Sequence, residues 1–398
     1  MDIRVEKEIF LSYDEKGRPV MPCFITYISN EKPILMHRYC REDYSDGYDD
    51  FVDIFSYDNG KTWTEPVLHY KGIDTPEGKI RYSESAGFFD PETEKLITIT
   101  NKKLYPNDRL DVDLLWSVVF EEYDPKENRW SGEKPLDFNL PGGISVSFCH
   151  PIKTKNGRII FPAQTYYTDE SGKPVHYKNC WSPAGVIVNI LGDYKEDGRI
   201  EWKLSELLYP DLEKTSRGFY EPTIIERKDG SFAMVMRGDN SMFPDKPGYK
   251  WVSFSYDQCE TWTEAIPFGC DRGEPIESSS SGSVLFRSIK NEKIYWIGNL
   301  CIEGIRPNGN WPRTPLVIAE VEEERFVIKR DTIRIIDKKQ PGEPEEVQLS
   351  NFRIYQDRET GEVVLFLSRY GERGVENDKW KLANYYRYRI SIIDHKKE

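Results

Sequence analysis

The sequence is poor in the residues that build metal centres and covalent frameworks. Histidine occurs five times in 398 residues, as His37, His69, His150, His176 and His395, without ligand-like spacing, so neither a metal nor a cofactor is expected. The seven cysteines (Cys23, Cys40, Cys149, Cys180, Cys259, Cys270 and Cys301) are odd in number and never form a Cys-x-x-Cys pair, which reads as reduced, mostly buried thiols. No apolar run approaches the roughly 18 residues of a membrane helix, and residues Met1 to Phe10 lack the apolar core of a signal peptide. The expectation is a soluble, cytoplasmic protein without a membrane partner, or a secreted one if the sequence was trimmed. Positive charge is also short: 55 Lys and Arg against 68 Asp and Glu leave a formal charge of −13. That field repels nucleic acid.

What is abundant is aromatic and turn-forming. Aromatics make up 13% of the chain, with 24 Tyr and 10 Trp, beside 28 Gly and 25 Pro, the profile of many short strands joined by turns. The length would hold two or three average domains, but closed β architectures often run long, so a single domain over 1–398 is expected. Hairpin patterns recur: Phe88-Phe89 before the turn Asp90 to Lys95, Lys153 to Gly157 before Arg158-Ile-Ile, Ile224-Ile225 before Asp229-Gly230, and Phe352 to Gly361 before Val363. Their spacing, one inner hairpin every 60 to 70 residues or so, suits about six four-stranded units. Helical windows are few. Leu204 to Tyr209 reads as one short turn or two before Pro210, and Lys379 to Tyr386 is ambiguous between helix and strand. Tyr385 to Ile393 reads as a closing strand that completes the first unit. Ser278 to Ser281 reads as a loop leading into Val284.

An internal repeat organises these hairpins. Ser56-Tyr-Asp-Asn-Gly-Lys-Thr-Trp63 returns as Ser255-Tyr-Asp-Gln-Cys-Glu-Thr-Trp262, with Cys259 where Gly60 stood. An Asp that bonds turn N–H groups, a Gly free to take positive φ and a Trp that packs on the hairpin make one turn unit. Weaker echoes occur at Tyr123-Asp124 with Trp130 and at Asp197-Gly198 with Trp202. The unit resembles the Asp-box, or BNR repeat, of the sialidase superfamily, which implies an all-β, six-bladed β-propeller of the sialidase type.

Three further stretches carry that resemblance into chemistry. Tyr220-Glu221-Pro222, followed sixteen residues after Glu221 by Arg237, puts a Glu at the start of one strand and an Arg at the end of its hairpin partner. In the family the Glu polarises a catalytic tyrosine and the Arg grips the substrate carboxylate; a buried ion pair is the structural alternative. Asn310-Trp311-Pro312-Arg313, ahead of an apolar strand, is similar to the segment that brings in another carboxylate-binding arginine. Two guanidinium groups converging on one point would clamp an acidic sugar. Ser147-Phe148-Cys149-His150 resembles a hairpin beginning at the active-site rim, where His150 would serve as acid, base or sugar ligand.

The departures are equally specific. Leu349-Ser350-Asn351-Phe352 stands where sialidases carry a tyrosine nucleophile, and no Asp aligns with their acid in the segment Leu35 to Asp43. Arg38 is the substitute offered for the family's first arginine. Candidates for the acid are Asp43, Asp49, Asp50 and His37, and Glu221 would act as base or activate Tyr220 or Tyr370. The resemblance implies a sialidase-like glycoside hydrolase whose partner is a carbohydrate, a terminal sialic or uronic acid held by Arg237, Arg313 and Arg38, with Tyr370 beside them. Two alternatives stand beside it. One is a polysaccharide lyase acting on uronate, using the arginines with His150 and a tyrosine. The other is a non-catalytic sugar-binding propeller, with Tyr166, Tyr167 and Trp311 as stacking surfaces.

Overall fold

A computed structural model describes residues 1–394; His395 lies outside them. The described chain is built of six antiparallel sheets. In chain order the first holds Val20–Tyr27, Leu35–Tyr44, Gly47–Ser56 and Val67–Tyr70. The second centres on Gly78–Asp90, Lys95–Pro106 and Ser117–Asp124, and the third on Ile159–Tyr166 and Gly185–Tyr194. The fourth runs Tyr220–Glu226, Phe232–Arg237, Lys250–Ser255 and Ile266–Pro267. The fifth centres on Ile294–Asn299 and Leu316–Glu322. The sixth runs Arg353–Gln356, Val363–Ser368, Tyr385–Ile393 and finally Asp2–Leu11.

All four expected hairpins form. Leu204 to Tyr209 is not helical: Ser205 N–H donates to Asn189 O and Leu208 bridges Ile187, because a sheet edge offers these groups partners that one isolated helical turn cannot. The ambiguous segment divides into a 3₁₀ turn at Glu376–Lys381 and the strand Tyr385–Ile393. That strand closes the last sheet, not the first. Asp2–Leu11 pairs with it from Asp2 opposite Ile393 to Leu11 opposite Tyr385.

Contacts divide the chain into two compact units, one made of Met1–Pro22, Val235–Val252 and Ala265–Glu398, the other of Cys23–Met234 and Ser253–Glu264. The second unit carries both copies of the repeated turn. In the first copy Asp58 accepts from Thr62 N–H (2.8 Å) and Thr62 Oγ1 (2.6 Å), and in the second Asp257 accepts from the same groups of Thr261 (3.0 and 2.6 Å). Cys259 takes φ 65° where Gly60 takes 80°, so the frame imposes the left-handed backbone even on a side-chain-bearing residue. The core of this unit is alternate-residue packing: Ile97, Ile99 and Val118 of the second sheet meet Ile159, Phe161, Val188 and Ile190 of the third. Among the described residues no helix is long and apolar enough to cross a membrane.

In the first unit, Asp337 ties the amino-terminal strand down. It accepts from Lys7 Nζ (2.8 Å), Tyr388 Oη (2.6 Å) and Arg369 Nε (3.1 Å). Burial raises its pKa, but these donors outweigh that and hold it below the usual carboxylate range.

Candidate active site

The unit that begins at Met1 brings together Arg237, Arg313 and Tyr370. Arg237 ends the strand Phe232–Arg237, and Arg313 lies three residues ahead of Leu316–Glu322. Both are buried, and both converge on Ser280. Arg237 Nε donates to Ser280 Oγ (2.7 Å) and its Nη2 to Asn310 Oδ1 (3.0 Å). Arg313 Nη2 donates to the Ser280 carbonyl (3.2 Å), and its Nη1 to Gln348 Oε1 (3.0 Å) and Ser350 Oγ (3.1 Å). Gln348 in turn pairs with the backbone of Tyr370. The Tyr370 hydroxyl donates to the Val20 carbonyl (3.3 Å). Leu349, in the place of the expected nucleophile, is fully buried, and its carbonyl accepts from Asn299 Nδ2 (3.1 Å). Trp311 remains 38% exposed.

The other unit holds Tyr220, Glu221, His150, Asp50, His37 and Arg38. Glu221 has φ 50°, a costly conformation for a side-chain-bearing residue, and its N–H donates to Gln164 Oε1 (2.7 Å). Phe148 (φ 53°) and Glu84 (φ 31°) are also left-handed, and a register shift accompanies Glu84. Strain of this kind clusters at functional sites, and bulges re-aim side chains there. The Tyr220 hydroxyl donates to the Pro183 carbonyl (2.5 Å), and His150 Nδ1 lies 3.2 Å from the Phe148 carbonyl, which requires the proton on Nδ1.

Two candidates are placed elsewhere. Arg38 is fully buried and forms a two-pronged pair with Asp53 (2.7 and 2.9 Å), under the rings of Trp130, Phe24 and Tyr70. It is a structural ion pair, not a member of the arginine cluster. His37 is also fully buried, with Nδ1 on the Phe24 carbonyl (3.0 Å) and its ring against Trp63 of the repeated turn. Of the acid candidates, Asp43 is engaged by Arg81 (3.1 Å), while Asp49 and Asp50 are half-buried near the start of Gly47–Ser56.

Sequence reasoning missed Arg217, Trp181 and Lys103. Arg217 is buried, donates from Nε to Ser182 Oγ (3.1 Å), and lies 4.3 Å from the ring centre of Trp181, itself 58% exposed. A signal was present in Arg217-Gly218, since Gly218 sits at φ 72° and a Cβ there would lie 2.1 Å from Gly185 O. That close approach, with Phe219 N–H on the Gly185 carbonyl (2.9 Å), docks the segment that delivers Tyr220 and Glu221. Gly218→Ala is expected to cost about 3 kcal/mol or more, from the clash and the strained φ together. Chemical denaturation checks it.

Lys103 left no mark in the sequence pattern. It is 3% exposed, its Nζ lies 4.7 Å from the Trp116 ring centre, and that Nζ has no hydrogen-bond partner among the described residues. Burial pushes its pKa down from 10.5 to about 8. Between those values the unfolded chain holds the proton more tightly, so the stability tied to this group is present above pH 10.5 and is lost as pH falls through about 8. Lys103→Met is therefore expected to be more stable than the parent at pH 7, by roughly 2–3 kcal/mol, with the gap closing above about pH 10. Denaturation at pH 7, 9 and 10.5 tests this. Among the described residues no group of three or more His, Cys, Asp or Glu is placed to hold a metal ion.

No family model matches the chain, and no curated protein matches it. Solved structures do. The NanB sialidase from Streptococcus pneumoniae superposes with a TM-score of 0.62 at 13% identity, over 96% of this chain and 70% of that one. The intramolecular trans-sialidase from Ruminococcus gnavus gives 0.59 at 14% identity, covering 96% and 97%. An α-L-arabinofuranosidase from Fusarium graminearum gives 0.57 at 11% identity, covering 97% and 98%. The chain therefore has the six-bladed β-propeller fold of the sialidase type. Its fold neighbours are glycoside hydrolases.

Proposed function

We propose that the protein is a carbohydrate-active enzyme, a sialidase-like glycoside hydrolase that takes a terminal acidic sugar. The observation that carries this is the anchoring of Arg237 and Arg313 to the Oγ and carbonyl of one residue, Ser280. Two guanidinium groups held at one point match the bidentate geometry of a carboxylate, which a sialic or uronic acid supplies. Glycosidic cleavage then needs an acid for the leaving oxygen and an activated nucleophile. The hydroxyls of Tyr220 and Tyr370 donate to the carbonyls of Pro183 and Val20. The resemblance to sialidases supplies the further candidates, Glu221 as base and Asp50 as acid. Fold alone does not define the reaction.

Product analysis on sialosides and glucuronides tests the proposal. A new reducing sugar without ultraviolet absorbance is the expected result. A new C4=C5 absorbance would mean elimination from a uronate, and binding without turnover would mean a sugar-binding propeller; either outcome replaces the hydrolase reading.

A further inference from the structure

The geometry assigns Lys250 and the serine segment Ser278 to Ser281 as the positioning scaffold of the arginine pair. The segment reads in the sequence as no more than a loop. In the structure it is a buried turn held from three sides by cations. Lys250, 3% exposed at the start of Lys250–Ser255, donates from Nζ to the carbonyls of Ser279 (2.9 Å) and Ser281 (2.5 Å) and approaches Ser281 Oγ (3.3 Å). It thereby grips the residues on either side of Ser280. Every polar atom of Ser280 is then used. Its N–H donates to Gly309 O (2.7 Å), its Oγ accepts from Arg237 and its carbonyl accepts from Arg313. Ser278 completes the turn, with its N–H on Gly248 O (2.8 Å) and its Oγ on Asn299 O (2.7 Å).

The chemistry explains why serine and lysine suit this place. Serine offers a compact hydroxyl acceptor beside its own carbonyl, so one residue orients two guanidinium planes. An ammonium directs its donors to several carbonyls at once, whereas a planar guanidinium presents them in a fixed fork. The acceptors in this lattice are neutral oxygens, so it orients the guanidinium groups without placing a carboxylate in the turn. The assignment rests on the carboxylate-clamp reading, and it adds that Lys250 acts through Ser280, not on the sugar.

The test is phenylglyoxal labelling of the full chain, with each arginine followed by mass spectrometry. Arg369 of the same unit, held by Asp337 and Glu343, serves as internal control. Lys250→Met should raise the labelling rate of both Arg237 and Arg313 by about five- to tenfold, the scale of one or two net hydrogen bonds. Ser280→Ala keeps the carbonyl, so it should raise Arg237 by a similar factor and leave Arg313 nearly unchanged. Arg369 should not move in either variant. Unchanged Arg237 and Arg313 in Lys250→Met would overturn the assignment, as would an equal rise at Arg369, which signals general loosening. Calorimetry with N-acetylneuraminic acid and glucuronic acid separates the two readings: parent protein that binds neither acid sinks the clamp and leaves the labelling pattern to judge the scaffold. If the parent binds, Lys250→Met should weaken that binding about tenfold or more, and unaltered affinity would also overturn the assignment.

Discussion

Glu221→Gln is expected to cut turnover by about a hundredfold or more while leaving the melting temperature nearly unchanged. The two side chains have the same shape, and the link that fixes the backbone here, Glu221 N–H on Gln164 Oε1, does not involve the carboxylate. What the amide loses is the capacity to accept a proton from water. Steady-state kinetics on the substrate found by product analysis, beside a thermal melt, checks both halves. A variant that unfolds with its activity would instead make Glu221 one partner of a structural ion pair, since removing one member of a buried pair leaves the other charge uncompensated. The left-handed backbone at Glu221 carries strain, which persists where the surrounding structure over-determines it.

Asp337→Ala should produce the largest loss of stability, about 3–5 kcal/mol. One buried carboxylate serves Lys7, Tyr388 and Arg369, so its removal strands the Lys7 ammonium and the Tyr388 phenol and leaves Arg369 to Glu343. Urea denaturation measures the loss. Hydrogen exchange should locate it first in Asp2–Leu11, whose Lys7 loses its anchor. The same group predicts acid sensitivity. Its folded pKa is depressed, so its contribution is present above the unfolded value near 3.9 and is lost as pH falls through the folded one. A variant as stable as the parent at neutral pH would refute this account.

The fold was legible because its signals are local. Turn residues such as Asp90, Gly157, Gly230 and Gly361 punctuate apolar runs, and the octapeptide repeat recurs with the spacing that hairpins require. Leu204 to Tyr209 misled for the opposite reason: its form is decided by hydrogen bonds to Asn189 and Ile187, which no local pattern announces. The site was legible only in part. Arg237 and Arg313 declare themselves by lying at strand boundaries, whereas Ser280 and Lys250 become meaningful only through contacts that span 29 to 43 positions. Arg38 shows the converse, since its bond to Asp53 depends on cross-strand register, set by pairing along the whole hairpin. Lys103 could not be anticipated at all, because burial is a property of the packed chain.

The pairing of Asp2 with Ile393 places the two ends of the described chain on neighbouring strands of one sheet, running in opposite directions. Opposed residues in such a ladder are only about 5 Å apart at the backbone. A short peptide bridging Ile393 and Asp2 would therefore turn two strands held by hydrogen bonds into an ordinary hairpin. New ends could then be opened at a solvent-facing turn such as Lys195 to Gly198, where the chain reverses and the glycine meets no neighbouring atom. A molecule rearranged in that way keeps every strand described here, and it separates the order in which the strands are synthesised from the order in which they pair.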